Sequence, residues 1–322
     1  MNETVIAVDL GGTEIKAALM NRDGRALATR RVATGADRPP AAVIERIAAL
    51  VAELRKETGD AVLGVGIGSP GGIYPETGII SQNPNFPGWL DVDLCGPLAK
   101  IVDLPVAIDN DANLAALGEY VHGTGRGAAS MVLLTLGTGI GGGIILDGRI
   151  WRGAWGMAGE IGHVIVEPEG HPCGCGSWGC VEQYASGPAM VREARAALAA
   201  GQGSVLRELA GGDPLAVTPK MVYEAACAGC ETSRAVLHKA ARYLGMAMAS
   251  VLNILNAPLF VIGGGVSAAF DLLYEPLREE VRRRAYRIPG ERVRIERALL
   301  GNDAGTIGAG MLAFAAAKPP RG

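Results

Sequence analysis

Concentrated positive charge is absent from this sequence. The formal net charge is −3, from 30 Lys and Arg residues against 33 Asp and Glu residues. Nucleic acid is therefore not expected as a partner, because phosphate backbones are bound by dense Lys/Arg surfaces. The arginine-rich piece Arg282–Arg287 follows a helical run and is interpreted as a solvated helix end.

Targeting and membrane-spanning signals are also lacking. The segment MNETVIAVDL carries the acidic residues Glu3 and Asp9, and it has neither the basic start nor the apolar core of a signal peptide. The longest apolar stretch, Met131–Leu146, is rich in glycine and shorter than the roughly 20 residues that a membrane span needs. We therefore expect a cytoplasmic protein that does not bind a membrane.

Cysteine is scarce and unevenly placed. The chain has 6 Cys and 4 His, yet three of the cysteines and one histidine lie in HPCGCGSWGC, His171–Cys180. Thiols stay reduced in the cytoplasm, so this clustering indicates a metal and not disulfides. His163, Cys173, Cys175 and Cys180 offer one imidazole and three thiolates, a ligand set that closes a tetrahedral zinc site. His171 is a competing ligand.

Two segments of the chain repeat one pattern. IAVDL, Gly11-Gly12-Thr13 and KAALM are matched by MVLLTL, Gly137-Thr138-Gly139 and GGIIL. Each segment predicts a strand, a tight glycine turn and a second strand. A chain of 322 residues is also longer than one hydrophobic core usually serves. We therefore predict two related α/β halves, the second carrying an insertion over residues 151–182 that holds the cysteines.

Glycine is abundant, and several glycines lie where predicted strands end. The chain has 47 of them. Backbone N–H groups in such turns can approach and bind phosphate, although a tight turn alone would explain any single case. The pattern GxGxxG at Gly137, Gly139 and Gly142 is followed by GGIILDGR, a strand and a turn, and not by the helix that a dinucleotide fingerprint requires. We predict a β-hairpin phosphate clamp in each half, with a nucleotide bound between the halves.

Seven motifs together resemble the ROK family of bacterial sugar kinases and sugar-responsive repressors. They appear in the family's order along nearly the whole chain. The motifs are DLGGTEIK (9–16), SPGGI (69–73), IDNDANLAALGE (108–119), LGTGIGGG (136–143), AGEIGH (158–163), CGCGSWGCVE (173–182) and VIGGGVS (261–267). The resemblance implies an α/β fold of the actin-like ATPase (ribonuclease H-like) type, with two related domains around a cleft. We expect a smaller domain of residues 1–118 plus 303–322 and a larger one of residues 119–302.

The resemblance also assigns functional residues by position. Asp111 matches the catalytic base, and His163 matches a histidine that binds zinc and the sugar at once. The expected substrate contacts are Gly72 (through its backbone), Asn110, Asp111, Glu160, His163 and Glu182. Carboxylates and Asn suit a hexose because they pair with its hydroxyls. The alternative for the Asn110-Asp111 pair is a strand-end turn and helix cap, and the two roles are compatible.

Nucleotide binding is expected at the glycine turns. The residues predicted for it are Asp9, Gly11, Gly12, Thr13, Lys16, Thr138, Gly139, Gly264 and Gly265. Asp9 is a candidate to hold Mg²⁺ through water, and Lys16 is either near the phosphates or an exposed strand residue. The zinc is expected to be structural, since four protein ligands leave no position for substrate. Its loss should then abolish sugar binding and leave nucleotide binding intact.

The activity implied by the resemblance is phosphorylation of glucose at its 6-hydroxyl by ATP, with Mg²⁺ and a structural Zn²⁺. Ser81–Leu90, with Asn83, Asn85 and Trp89, resembles a loop of glucokinases and favours glucose. Kinases for N-acetylmannosamine, fructose or allose share the other motifs, and users of ATP and of polyphosphate share the clamp. Family regulators carry a DNA-binding domain ahead of the DLGGT motif. Asp9 is only the ninth residue here, so a sugar-binding regulator without that domain is the other alternative. A homodimer or homotetramer is expected.

Overall fold

The computed structural model describes residues 3–317. Its strands are β1 (Thr4–Leu10), β2 (Glu14–Asn21), β3 (Ala26–Ala33), β4 (Val62–Ser69), β5 (Gly72–Tyr74), β6 (Ile79–Gln82), β7 (Leu90–Asp93), β8 (Val106–Asn110), β9 (Met131–Leu136), β10 (Ile140–Leu146), β11 (Arg149–Ile150), β12 (Leu259–Gly263) and β13 (Arg294–Arg297). Its α-helices are α1 (Pro40–Arg55), α2 (Cys95–Val102), α3 (Asp111–His122), α4 (Glu182–Ala185), α5 (Gly187–Ala199), α6 (Ser204–Leu209), α7 (Pro219–Cys227), α8 (Glu231–Leu255), α9 (Phe270–Arg284), α10 (Arg287–Arg292) and α11 (Ala304–Ala316).

The chain divides into two compact units. The first comprises the residues up to Gly127, Gly143–Gly159 and the residues from Leu299 onward, and the second comprises Ala128–Gly142 and Glu160–Ala298. Five-stranded sheets occur in the orders β3-β2-β1-β4-β8 and β11-β10-β9-β12-β13. Each order places a glycine-turned hairpin before two further strands, so the predicted repeat is confirmed.

Strands β1 and β4 of the first sheet are buried on both faces. Alternate side chains of β1 point to opposite sides, as the period of a strand requires. Ile6, Val8 and Leu10 pack in the apolar cluster that includes α1, while Val5 and Ala7 pack in the cluster that includes α11. Strand β1 pairs antiparallel with β2 and parallel with β4, and β4 pairs parallel with β8. Two covered faces explain why β1 and β4 are almost continuously apolar.

Helices α3 and α11 pack closely because glycine lies at their contact. A Cβ at Gly118 would overlap the carbonyl oxygen of Ala304, and one at Gly308 would overlap that of Leu114. The lack of a side chain at both positions therefore lets the two backbones approach. This contact fixes the start of α11 against α3 within the first unit.

The sequence patterns did not identify a small third sheet. Strands β5, β6 and β7 form it in the order β5-β6-β7 with antiparallel pairing. They have only three or four residues each, too few for an alternating pattern to stand out. The segment between β6 and β7 holds the loop that resembles glucokinases. Among residues 3–317, no helix is both long and apolar enough to cross a membrane.

A buried carboxylate binds the backbone of the segment that precedes α11. Glu119 is fully buried and accepts hydrogen bonds from the backbone N–H groups of Thr124 (2.9 Å), Leu299 (3.1 Å) and Leu300 (2.7 Å). All of these residues belong to the first unit. The carboxylate is therefore an internal acceptor for a loop that would otherwise bury unpaired donors.

Glu119→Ala should lower the stability of the protein strongly. Three backbone donors would lose their acceptor, and each buried donor left unpaired costs about 1–3 kcal/mol. We expect a loss of about 3 kcal/mol or more in the free energy of unfolding, measured by urea denaturation. The exposed Glu45 on α1 provides the control, and Glu45→Ala should change the value by less than about 0.5 kcal/mol. Equal effects of the two substitutions would contradict the role given to Glu119.

Candidate active site

Polar residues meet at one edge of the first sheet. The parallel register aligns Asp9 of β1 with Gly68 of β4, and Gly68 with Asp109 of β8. The carboxyl ends of these three strands therefore lie side by side. In open α/β sheets this edge is where ligands bind. The register alone brings the predicted residues Asp9, Asn110 and Asp111 to it.

Asn110 combines the two roles that the sequence left open. Its side-chain oxygen caps α3, accepting hydrogen bonds from the backbone N–H groups of Ala112 (2.9 Å) and Asn113 (3.3 Å). Its amide nitrogen donates to the carbonyl oxygen of Gly71 at 3.2 Å. Asp111, the first residue of α3, is exposed, and its Oδ1 accepts from the N–H of Ala112 at 2.8 Å. The helix cap thus fixes the backbone of a carboxylate that faces solvent.

Sequence reasoning missed the pair formed by Asp109 and Arg152. Asp109 is fully buried, and Arg152 contacts its Oδ2 through Nε at 2.7 Å and through a terminal nitrogen at 2.6 Å. The other oxygen, Oδ1, accepts from the N–H of Asn110 (2.8 Å) and from the side chain of Asn113 (3.0 Å). Arg152 therefore supports the residue immediately before the Asn110-Asp111 pair. Nothing in the sequence signalled this contact.

The loop between β6 and β7 is tied to the SPGGI motif. Asn83 is buried, and its amide nitrogen donates to Ser69 Oγ (3.1 Å) and to the carbonyl oxygen of Pro70 (2.9 Å). Trp89 is buried against Phe86, with ring centroids 4.5 Å apart. Asn83 and Trp89 thus hold this loop in place. Asn85, the third residue singled out there, lies beside Gly12 of the first glycine turn.

Gly72 begins β5 and has little space above it. Its carbonyl oxygen accepts a hydrogen bond from Ser81 Oγ at 3.0 Å, and the end of the Met157 side chain lies over its α carbon. A side chain at position 72 would collide with Ser81, so the position favours glycine. These contacts lie wholly in the first unit.

The first glycine turn places Lys16 opposite Asp9. The two residues are paired across the β1–β2 hairpin, and the Lys16 Nζ lies 2.6 Å from an oxygen of Asp303 at the start of α11. The Lys16 side chain is 17% exposed and is thus partly buried. Thr13, at the tip of the turn, is exposed, while Gly11 and Gly12 are half-buried. The nearness of these residues to a phosphate remains a prediction.

Asp9 lies in an unfavourable place for a negative charge. Burial raises the pKa of its carboxyl, the neighbouring Asp111 carboxylate raises it further, and Lys16 acts in the opposite direction. Two carboxylates in this position are suited to a divalent cation, because Mg²⁺ prefers oxygen ligands and neutralises their repulsion. The donor chemistry therefore fits the prediction that Asp9 holds Mg²⁺.

The second unit contains its own glycine turn beside an apolar cavity. Gly137, Thr138 and Gly139 connect β9 to β10, and the N–H of Gly137 donates to the carbonyl oxygen of Gly139 at 2.9 Å. The cavity has a volume of about 790 Å³. It is lined by Gly137, Thr138, Gly187, Pro188, Met190, Val191, Thr218, Pro219, Lys220, Tyr223, Glu224, Leu237, Gly265, Val266, Ala268 and Ala269. Thr138 and Gly265 were predicted for nucleotide binding, whereas the lining residues from α5, α7 and α8 were not found from the sequence.

Gly264 shapes the start of the turn after β12. Its φ is +80°, and a Cβ there would overlap the backbone of Leu136 at the end of β9. Only glycine combines that conformation with that approach. The position thus fits the predicted role of a glycine turn beside the cavity, and its contact with a nucleotide remains a prediction.

The four predicted metal ligands lie together in the second unit. The ligand atoms of His163, Cys173, Cys175 and Cys180 are all within 4.8 Å of one another. Cys175 Sγ is 3.7 Å from Cys180 Sγ, and Cys173 Sγ is 3.6 Å from His163 Nδ1. In a tetrahedron with zinc–sulfur bonds of about 2.3 Å, two thiolates lie about 3.8 Å apart, and a thiolate and an imidazole nitrogen about 3.5 Å apart. The spacing therefore fits zinc.

The two ring nitrogens of His163 face different partners. Nδ1 points to the thiols, and Nε2 lies 3.8 Å from an oxygen of Glu160. His171 lies outside the four-residue cluster; its ring packs on Tyr184, and its backbone N–H donates to the Tyr184 hydroxyl at 2.9 Å. The structure thus places His163 with the cysteines, in agreement with the preferred ligand choice.

The thiols differ in how readily they ionise without a metal. Burial raises the pKa of Cys180 to about 12, whereas a backbone hydrogen bond from Ser177 lowers that of Cys175. A bound zinc requires thiolates, so metal binding at this cluster releases protons. Metal affinity at the cluster is therefore expected to rise with pH.

Asp9→Asn should make the protein more stable at pH 7. The stability associated with neutral Asp9 is fully present below its ordinary pKa of 3.8 and is lost as pH rises through the raised pKa of the folded state. The variant cannot ionise, so its advantage in unfolding midpoint should be largest at pH 7 and should close toward about pH 4. Asp37→Asn, at an exposed position, is the control and should show no such trend. A variant less stable than the wild type at pH 7 would contradict this account of Asp9.

Comparison with known proteins identifies the group to which this arrangement belongs. The ROK family model matches residues 5–316. The glucokinase of Halalkalibacterium halodurans is 42% identical over 316 residues, which cover 95% of this chain and 94% of that protein. The N-acetylmannosamine kinase of Salmonella typhi is 35% identical over 312 residues, covering 96% and 98% respectively.

A solved structure extends this similarity to the fold. The ROK family glucokinase from Streptomyces griseus, in complex with glucose and AMPPNP, is 38% identical and superimposes with a TM-score of 0.80, over 97% of this chain and 99% of that one. The match confirms the predicted α/β fold of the actin-like ATPase type. The chain belongs to the ROK family.

Proposed function

We propose that this protein transfers the γ-phosphoryl group of ATP to the 6-hydroxyl of glucose. The observation that carries the proposal is its full-length similarity to bacterial glucokinases, one of them solved with glucose and an ATP analogue. The Halalkalibacterium halodurans glucokinase is 42% identical to this chain, against 35% for the Salmonella typhi N-acetylmannosamine kinase. The loop that contains the buried residues Asn83 and Trp89 resembles a glucokinase loop, and this resemblance supports glucose as the substrate.

Asp111 is the proposed general base. It is exposed at the first position of α3, where the positive end of the helix dipole favours a negative charge. Its carboxylate would accept the proton of the 6-hydroxyl as that oxygen attacks the γ-phosphorus. Asn110 and Arg152 hold the backbone on which it sits, the first as the helix cap and the second through Asp109. Positioning of this kind supplies much of the rate of phosphoryl transfer.

The sugar contacts remain those expected from the family. Gly72, Asn110, Asp111, Glu160, His163 and Glu182 are proposed to contact glucose. His163 can use Nε2 for a hydroxyl because Nδ1 faces the cysteines. Four carboxylate and imidazole side chains in one ligand set suit a molecule covered with hydroxyls.

The nucleotide would use the glycine turns and the apolar cavity. The cavity offers an apolar surface for a flat base, and the turn of Gly137, Thr138 and Gly139 forms part of its wall. Backbone N–H groups of the two turns would face the phosphates. Mg²⁺, when bound, would neutralise charge on the phosphate oxygens, and Asp9 is the residue proposed to hold it.

N-acetylmannosamine is the second candidate substrate, favoured by relatives that act on it and cover nearly the whole chain. A hexose panel with ATP, polyphosphate and Mg²⁺ decides among sugars and donors. We expect glucose with ATP to be turned over fastest, and the product to be the 6-phosphate by ³¹P NMR. Faster turnover of another hexose would reject glucose as the substrate, and no turnover of any sugar would leave the sugar-binding regulator as the alternative.

Asp111→Asn should remove most of this activity. The amide cannot accept the hydroxyl proton, and general base catalysis typically contributes about 10²–10⁴-fold. We expect kcat to fall by that order, while glucose affinity measured by calorimetry stays within about threefold, because the amide still hydrogen-bonds a hydroxyl. Near-normal kcat in the variant would remove Asp111 from the mechanism.

Zinc is proposed as a structural metal on His163, Cys173, Cys175 and Cys180. Cys175→Ala removes one of four ligands, so the purified variant should lose its zinc and show weaker glucose binding. The exposed Cys227 on α7 provides the control, and Cys227→Ala should keep one zinc per chain. Elemental analysis measures both. A wild-type protein without zinc, or a metal-free Cys175→Ala with unchanged glucose affinity, would overturn the assignment.

A further inference from the structure

Ile140, the first residue after the second glycine turn, is contacted through both its N–H and its carbonyl group. Its N–H donates to Glu182 Oε2 at 2.8 Å. Its carbonyl oxygen lies so close to Gly162 that a Cβ at Gly162 would overlap it. Glu182 and Gly162 flank the cysteine loop, and all three residues belong to the second unit. Both ends of the cysteine loop therefore contact Ile140, the residue that follows the second glycine turn.

The second glycine turn also contacts the segment Glu182–Gly187. The N–H of Gly187, at the start of α5, donates to the carbonyl oxygen of Gly137 at 2.9 Å. The Glu182 carboxylate also lies against the α carbon of Gly139, where a side chain would collide with it. Both ends of the turn therefore rest on Glu182–Gly187, and Thr138 between them stays exposed.

This segment begins at the metal cluster. Cys180 pairs with Ile165 in an antiparallel bridge, and the N–H of Val181 donates to the carbonyl oxygen of Val164 at 2.9 Å. Glu182 follows Cys180 by two residues. The position of the Glu182 carboxylate is therefore set by the cysteine loop, and the position of Ile140 is set by the Glu182 carboxylate.

We propose that Glu182 is a positioning residue for the second glycine turn, in addition to its expected contact with the sugar. One oxygen, Oε2, holds the Ile140 N–H, and the other remains available for a hydroxyl. The inference rests on the proposed function, because it takes the turn to be a phosphate-binding element. It also revises the expectation that nucleotide binding is independent of the metal. Loss of the cysteine loop would release Ile140 and disorder the turn.

Three variants separate this role from sugar binding. Glu182→Ala removes the acceptor, whereas Glu182→Gln keeps an oxygen at the same reach. Glu160→Gln is the matched control, because Glu160 is the other glutamate expected to bind the sugar and its carboxylate faces His163 and not the turn. Affinities for glucose, ATP and adenosine are measured by calorimetry. Amide hydrogen exchange is followed over residues 137–143, in the variants and in chelator-treated wild type.

Glu182→Ala should weaken ATP binding about tenfold, the order expected for a lost hydrogen bond to a charged acceptor, and should speed exchange at Ile140. Adenosine should bind as in the wild type, since the cavity is untouched. Glu182→Gln should restore the affinity for ATP, and Glu160→Gln should weaken the binding of glucose but not that of ATP. Chelator treatment should speed exchange at Ile140 as Glu182→Ala does. If Glu182→Ala does not fold, Glu182→Asp takes its place, because its shorter carboxylate cannot reach Ile140.

Unchanged ATP affinity and unchanged Ile140 exchange in the Ala or Asp variant, with glucose binding weakened, would overturn the inference and keep the kinase proposal. Equal loss of adenosine and ATP affinity would also overturn it, because the effect would then be general. A wild-type protein that binds adenosine and ATP equally well would reject the phosphate role of the turn. A wild-type protein that binds neither ATP nor glucose would reject the proposed function itself.

Discussion

The parallel pairing of β1, β4 and β8 is the constraint on which the first unit depends. Its register aligns Asp9 with Gly68 and Gly68 with Asp109, so the polar ends of three buried strands share one edge. Helix α3 starts from that edge with Asn110 as its cap, and the cap leaves Asp111 exposed at the positive end of the helix. The ion pair of the buried Asp109 with the partly exposed Arg152 then fixes the chain just before Asp111. A solvent-facing carboxylate on so rigid a support suits a base that must meet one particular hydroxyl.

The placement of Asp9 at this edge of the sheet lowers the stability of the fold. Asp9 is largely buried and lies near Asp111, and both effects raise its pKa. Burying one carboxylate beside another costs stability, because burial and like charge both disfavour the ionised form. Repulsion of this kind is relieved by a cation, which is what transfer of a phosphoryl group requires at such a place. We therefore attribute the raised pKa of Asp9 to its proposed role in holding Mg²⁺.

Local patterns made part of this structure predictable. The glycine-turned hairpins were found because each is a short local pattern of two apolar runs around a glycine turn, and the metal ligands because cysteines are rare and clustered here. Contacts between residues that are distant in the sequence could not be predicted. Arg152 lies 43 positions from Asp109, Ile140 lies 42 from Glu182, and Asp303 lies 287 from Lys16. Part of the cavity wall comes from α5, α7 and α8, whose apolar faces look like ordinary core in the sequence. Such partners are chosen by the fold, and no spacing rule links them.

The most direct measurement of the central claim is a crystal structure with glucose and a non-hydrolysable ATP analogue. The account predicts an Asp111 carboxylate oxygen within about 2.6–3.2 Å of the 6-hydroxyl, the distance that a general base requires. It also predicts the γ-phosphate on the far side of that hydroxyl from Asp111. A complex in which the 6-hydroxyl faces another side chain, with Asp111 hydrogen-bonded only to solvent, would contradict it.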